Sequence, residues 1–132
     1  MWQAYDDKVA KDICYHCGSE VSKRSYNYFR TALHYSRSKV LSEIYGSAGF
    51  YFALTAKDHV RLVEIAVRKE HQGQGVGKTV LFRLLSRMKQ VGLYKLTFRT
   101  PIAESAQDFW LHIGARIVDV KGTDYEMELT IK

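Results

Sequence analysis

No apolar run in this 132-residue chain approaches the roughly 18 residues that a membrane-spanning helix needs. Its first residues, "MWQAYDDKVAKD", mix acid and base and lack the apolar core of a secretory leader. No membrane partner is expected, and a cytoplasmic protein is. No basic run is long enough to force a nucleic-acid surface, which stays open as a competing partner. A second cysteine pair is missing too, and a strong zinc signal needs one. "CYHCG" therefore leaves three readings for Cys14 and Cys17. They are half of a zinc site completed by His16, His34 or His59, a redox pair, or two ordinary reduced thiols. An unpaired motif favours the last, and no metal site is expected. Internal repeats, low-complexity tracts and linkers are absent, so the length suits one domain over 1–132.

What is present is globular. Apolar residues make up 46% of the chain, enough to bury a proper core. The net charge of +6 is uneven. Residues 57–100 hold ten Lys/Arg against three Asp/Glu, whereas residues 101–132 hold three against six. The positive excess surrounds a glycine-rich stretch, "HQGQGVGKT", and suits an anionic ligand there.

Periodicity predicts the elements. Residues 1–25 read as an irregular or partly helical lead-in. Tyr28, Phe29, Ala32, Leu33 and Tyr35 fall at helical spacing over 25–38, with Ser25 as cap. Strands are expected at 40–45, 50–56 and 60–68, the last two a hairpin feeding the glycine loop. Val80, Leu81, Leu84, Leu85, Met88 and Val91 then form the clearest amphipathic stripe, and Gly92 is placed to end that helix in a left-handed cap. "LYKLTFRT" (93–100) alternates as a strand, and Pro101 stops it. A helix over 103–114 and strands at 115–120 and 125–131 complete a mixed α/β order.

"HQGQGVGKT" ends like a nucleotide P-loop, G-x-x-x-x-G-K-[ST]. Counted back from Gly77-Lys78-Thr79, the first glycine belongs at position 72, where the chain has Gln72. The following strand ends in Arg-Thr rather than in a magnesium-holding Asp. The P-loop reading fails on both counts.

A second pattern fits without adjustment. "AVRKEHQGQGVGKTVLFRLL" resembles the acyl-CoA motif of the GNAT acyl-CoA N-acyltransferase superfamily, Q/R-x-x-G-x-G/A between a strand and a helix. The resemblance runs from the hairpin "GFYFALTAKDHVRLVEIAV" through "FWLHIGARIVDV" to the last hairpin, about residues 40–131. Residues 1–39 match least well and are an atypical N-terminal segment. The resemblance implies an α/β (α+β mixed) fold with a central, mostly antiparallel sheet flanked by helices. Two strands of that sheet splay where CoA binds. It implies acetyl-CoA as cosubstrate. The backbone of Ile65, Ala66 and Val67 would pair with the pantetheine arm as an extra strand. The motif residue Gln72 and the amides of Gly73, Gln74, Gly75, Val76, Gly77 and Lys78, running into Thr79, would cradle the pyrophosphate. Arg68, Lys69 and Lys78 would add attraction, against the alternative of plain solvated charges.

Acyl transfer to an amine needs a base for the amine proton, help for the leaving thiolate and a donor for the oxyanion. By resemblance the donor is a backbone N–H near Val67. The superfamily's usual acid is a tyrosine in "FY-x-x-x-G". Here the segment reads Phe109-Trp110-Leu111-His112-Ile113-Gly114, so Trp110 stands at that position, and an indole is no proton donor near neutral pH. The frequent asparagine seven residues earlier is Ala103. Glu64, on the strand before the loop, is the candidate base, against the alternative of an exposed strand charge. Tyr45, Tyr94, His71 and His112 are weaker candidates, each expected in the core or on the surface.

The expected function is direct transfer of an acetyl group from acetyl-CoA to a primary amine of an unidentified small molecule or protein, with positioning supplying much of the rate. The aromatic helix at 25–38 is expected to build the acceptor wall. The competing reading keeps the fold but makes the chain a non-catalytic CoA-binding or interaction module, with a variant of it that uses the basic balance to act on or near nucleic acid. Edge strands such as the last hairpin permit a homodimer as well as a monomer.

Overall fold

Seven strands form one sheet in the computed structural model, which describes residues 1–18, 39–103 and 106–131. In chain order the elements are β1 (Trp2–Gln3), α1 (Asp7–Tyr15), β2 (Val40–Tyr45), β3 (Gly49–Thr55) and β4 (Val60–Val67). A single 3-10 turn (Lys69–His71) leads to α2 (Val76–Gln90), β5 (Lys95–Pro101), α3 (Ala106–Ile113), β6 (Arg116–Lys121) and β7 (Asp124–Thr130). Across the sheet the order is β1-β2-β3-β4-β5-β7-β6. Neighbours are antiparallel throughout, except that β4 and β5 are parallel. The expected mixed, mostly antiparallel architecture is what forms. The helix expected over 25–38, and His34 with it, lies outside the described residues.

Local sequence explains most boundaries. The lead-in contains a full helix, α1, which begins where the Asp6 carboxylate accepts from the Lys8 and Val9 amides at 2.9 and 3.1 Å. Its apolar face, Ala10, Ile13 and Cys14, is buried. Helix α2 starts at Val76, because Gly75 adopts a left-handed φ of 84° and turns the chain into the helix. It ends as expected, with Gly92 at a φ of 77°. Pro101 does not stop β5 but closes it, opposite Asp124 at the strand's last position, where a missing N–H is tolerated.

The helices cover the two faces of the sheet. Helix α1 packs with Ile44, Phe50, Phe52 and Ala66 on one face. On the other, Leu62, Val80, Leu84, Phe98, Trp110 and Met127 form the larger core under α2 and α3. Strand β3 is buried from Gly49 to Ala53 because successive side chains enter opposite cores. A polar clamp adds to this packing. Glu43 on β2 accepts from Arg83 at 2.9 and 3.0 Å, from Arg87 at 2.9 Å and from Tyr51 at 2.5 Å. The Arg83 guanidinium also stands 5.3 Å from the Trp2 ring, so α2 and the first two strands are tied together.

Candidate functional site

Strand β4 pairs with β3 along its length, from Thr55↔Val60 to Gly49↔Val67. With β5 it pairs at two positions, Val60↔Leu96 and Arg61↔Thr97, after which the strands part. Arg61 clasps the closed end. One guanidinium nitrogen reaches Thr97 Oγ1 at 3.2 Å, and the group grips the Glu126 carboxylate on β7 through two contacts, one of them 3.1 Å. Beyond Arg61 the edge of β4 faces an open slot. Among the described residues, backbone groups there have no strand partner on that side, and such groups seek one.

A β-bulge sets what this strand offers the slot. The pairing slips between Phe52↔Glu64 and Ala53↔Leu62, leaving Val63 as the extra residue. The bulge reverses the alternation. Leu62 belongs to the α2 face, Ala66 to the α1 face, and Ile65 packs again on the α2 side. Glu64 is thereby turned to the α1 face, half-buried, at the level where β4 and β5 have separated.

The glycine loop closes one end of the slot. Gly73 and Gly75 hold φ of 79° and 84°, a conformation other residues rarely take. Residues 72–75 are exposed. The first helical bond of α2 runs from Thr79 N to the Gly75 carbonyl at 3.0 Å, and Thr79 Oγ1 donates to the same oxygen at 3.0 Å. The amides of Val76, Gly77 and Lys78 precede that bond. They make up the positive end of the helix and, with the left-handed glycines, a concavity suited to an anion. Lys78 is exposed beside it.

Other loop side chains hold the loop itself. Gln72 Nε2 donates to the carbonyls of Cys17 at 2.7 Å and Val67 at 2.9 Å. The Lys69 amide donates to the His16 carbonyl at 2.7 Å. Arg68, expected to draw in the anion, bonds the Ser47 carbonyl at 2.8 Å and pairs with Asp12 of α1. Gln74 Nε2 reaches the Glu70 carbonyl at 3.3 Å. The C-terminal end of α1 is thus the loop's anchor. No sequence signal gave this, since the partners are 55 residues apart for Gln72 and Cys17. Cys14 and Cys17 are free, buried thiols at that anchor. Burial pushes the Cys14 thiol up, and the nearby charges of Glu64 and Cys17 act in the same direction. His16 bonds the Asp12 carbonyl and His59 pairs with Asp58. Among the described residues no three His, Cys, Asp or Glu side chains gather as metal ligands.

Trp110 does not face the slot as a donor would. It is 4% exposed, its ring centroid 4.0 Å from that of Phe98 and edge-on to Phe109 at 5.4 Å. Its neighbour Phe109 turns to the loop. A Cβ placed on Gly77 would lie 3.9 Å from the Phe109 ring. One residue is about 100° of helix, which sends the two aromatics to different neighbours. Of the weaker candidates, Tyr94 precedes β5 at its closed end and is exposed, as is His112. Tyr45 stacks on Trp2 at 4.8 Å. His71 sits in the 3-10 turn before the loop. Glu64 is the titratable side chain of the expected set that the fold brings to the slot.

The family model of the acetyltransferase (GNAT) family matches residues 11–115. The ribosomal protein bS18-alanine N-acetyltransferase of Haemophilus influenzae is 31% identical over 77 residues, covering 58% of this chain and 53% of that protein. The match thus spans about half the length of this curated relative. Among solved structures, the ribosomal-protein-S18-alanine N-acetyltransferase of Escherichia coli has a TM-score of 0.81 at 17% identity, covering 99% of this chain and 93% of its own. The PaiA N-acetyltransferase of Thermoplasma acidophilum, in complex with coenzyme A, has a TM-score of 0.78 at 17% identity, covering 98% of both chains. A GNAT family acetyltransferase of Elizabethkingia anophelis with acetyl-CoA bound has a TM-score of 0.63 at 17% identity, covering 77% and 83%. At these identities the solved structures show a shared fold.

Proposed function

The chain belongs to the acetyltransferase (GNAT) family, and on that premise we propose that it is an N-acetyltransferase moving an acetyl group from acetyl-CoA to a primary amine by direct transfer. The observation that carries this reading is the parting of β4 from β5 after two pairs, with the glycine loop at the mouth of the opening. The residues present fit the cosubstrate. The free edge of β4 from Ile65 to Val67 offers an extended amide-bearing arm what a neighbouring strand would offer it. The amides of Val76, Gly77 and Lys78, presented by Gly73 and Gly75, suit a pyrophosphate. Acetyl-CoA supplies an acetyl group activated as a thioester.

The chain's own groups supply position and a base. Glu64 faces the α1 side of the slot, whereas α2 packs on the other face. The amine therefore approaches from the α1 side, and the phosphates sit at the start of α2. Glu64 takes the amine's proton, directly or through water. One of its oxygens accepts from the Ile65 amide at 3.1 Å, which orients the carboxylate. Trp110 is a packing residue, so holding the two reactants in the slot carries more of the rate than an acid does. The curated relative is named for acetylating an alanine of ribosomal protein bS18. The α-amine of a protein alanine is therefore the first acceptor to try.

Acetyl-CoA mixed with the protein and amine acceptors (N-terminal alanine peptides, polyamines, amino acids) tests the proposal through thiol release. Acceptor-dependent release is expected. CoA binding without release would leave a binding module in its place, and no CoA binding would end both readings.

A further inference from the structure

Just past the closed end of the slot, β5 carries a cation on the side from which the amine approaches. Leu96 and Phe98 are buried in the core under α2 and α3, so Thr97 and Arg99 point to the opposite face, the α1 face. Arg61, on that face of β4, reaches Thr97 there. Arg61↔Thr97 is also the last pair before the strands part. Counted on from it, the bulged Val63 takes up one extra residue of β4. Glu64 on one wall and Arg99 on the other therefore stand at the same level, on the same face.

The Arg99 side chain is 52% exposed. Its Nε lies 3.7 Å from Glu126 Oε1, beyond hydrogen-bond range. Arg61 holds that same carboxylate through two contacts, one of them 3.1 Å. Two guanidiniums thus share one carboxylate, and the surplus positive charge is that of Arg99. Among the described residues no hydrogen bond engages its five donors. The mouth on the α1 face therefore presents a carboxylate, Glu64, from β4 and a guanidinium from β5.

We infer that Arg99 seats a carboxylate of the acceptor, so that the acceptor is an amine with a carboxylate close to it. The inference rests on the acetyl-transfer reading above, with Glu64 as the base. The amine goes to Glu64 and the carboxylate to Arg99. The reverse orientation would set like charges together on both walls, so the pair also fixes which way round the acceptor enters. The carboxylate comes from the amine's own amino acid or from the acidic side chain of the next residue in a peptide. A guanidinium fork recognises both in the same way.

Two matched pairs of acceptors separate the sources: alanine against alaninamide, and the dipeptide amide Ala-Glu against Ala-Gln. Thiol release at saturating acetyl-CoA gives kcat/KM for each, and calorimetric titration of each acceptor into the protein–CoA complex gives its affinity. In at least one pair the wild type should favour the carboxylate about three- to ten-fold, through KM, as befits an ion pair at a half-exposed site. The pair that shows the preference names the source. Arg99→Gln should bring that ratio close to one in both measurements, and Arg99→Lys, which keeps the charge, should retain part of it. Using the ratio within a pair cancels any general loss from disturbing Glu126. Equal use of both members of each pair by the wild type would overturn the inference and leave the acetyl transfer standing. So would a preference that survives in Arg99→Gln. No thiol release with any acceptor would remove the acetyl-transfer reading itself, and this inference with it.

Discussion

Toward β3, strand β4 is paired from Val60 to Val67; toward β5 it is paired at Val60 and Arg61 and then left open. The first edge belongs to a region matched on every side. Helix α1 covers one face, α2 the other, and the Glu43 clamp ties α2 to β2 and β3. The second edge is lined by a free strand backbone and a loop with left-handed glycines. Completeness on one side and incompleteness on the other, within a single strand, separates what stabilises this chain from what binds. Substitutions on the open side should change binding or turnover and leave melting alone. Those on the closed side should do the reverse.

The largest effect is expected from Glu64→Gln, on the open side. Loss of the base should lower kcat by about a hundred-fold or more, within the usual range for such groups. CoA affinity and the thermal midpoint should stay near wild type. A kcat within a few-fold of wild type would show that Glu64 does not take the proton.

Gly75→Val comes next. No atom lies within 4 Å of a Cβ at this position, so a clash is not the issue. The left-handed φ of 84° is, and it costs a β-branched residue about 1–3 kcal/mol. The loop would relax out of the cradle, and CoA affinity should fall by about ten-fold or more. Unchanged affinity would mean that the phosphates bind elsewhere and that the mouth of the slot is misplaced.

Glu43→Gln tests the closed side. Burial alone would raise this carboxyl, but hydrogen bonds from Arg83, Tyr51 and Arg87 outweigh it and hold it at about 2, against 4.5 unperturbed. A folded value below the unfolded one stabilises the protein above about pH 4.5, and the stabilisation is lost as pH falls toward 2. Glu43→Gln should lower the midpoint at neutral pH by about 3–5 °C and flatten the pH dependence between those values. Its CoA affinity should not move. A weakened affinity would show that the two sides of β4 are coupled.

The closed side was the more legible of the two in the sequence. The stripe from Val80 to Met88 and the alternation in β3 are repeats of side-chain type, and burial follows such repeats directly. The loop was legible because glycine spacing encodes backbone shape. The bulge at Val63 was not, since the local alternation reads through it, and with it went the reason Glu64 faces α1. The tie from Gln72 to Cys17 joins distant segments, and nothing in either segment announces it. Helix α1 had a readable cap in Asp6, yet the cysteines and charges around it obscured the short apolar face.

Trp110 lies between the two sides, at the end of the core that runs up to the slot, and here the smallest effect on turnover is expected. Its indole packs against Phe98 and, among the described residues, donates no hydrogen bond. Trp110→Phe removes that N–H while keeping an aromatic ring in place. If Trp110 only packs, kcat and CoA affinity should stay within about two-fold of wild type, and the midpoint should fall modestly, since the smaller ring leaves part of the site unfilled. A ten-fold fall in kcat with an unchanged midpoint would place the indole at the reacting atoms. The core would then reach into the slot, and the boundary drawn along β4 would have to move to α3.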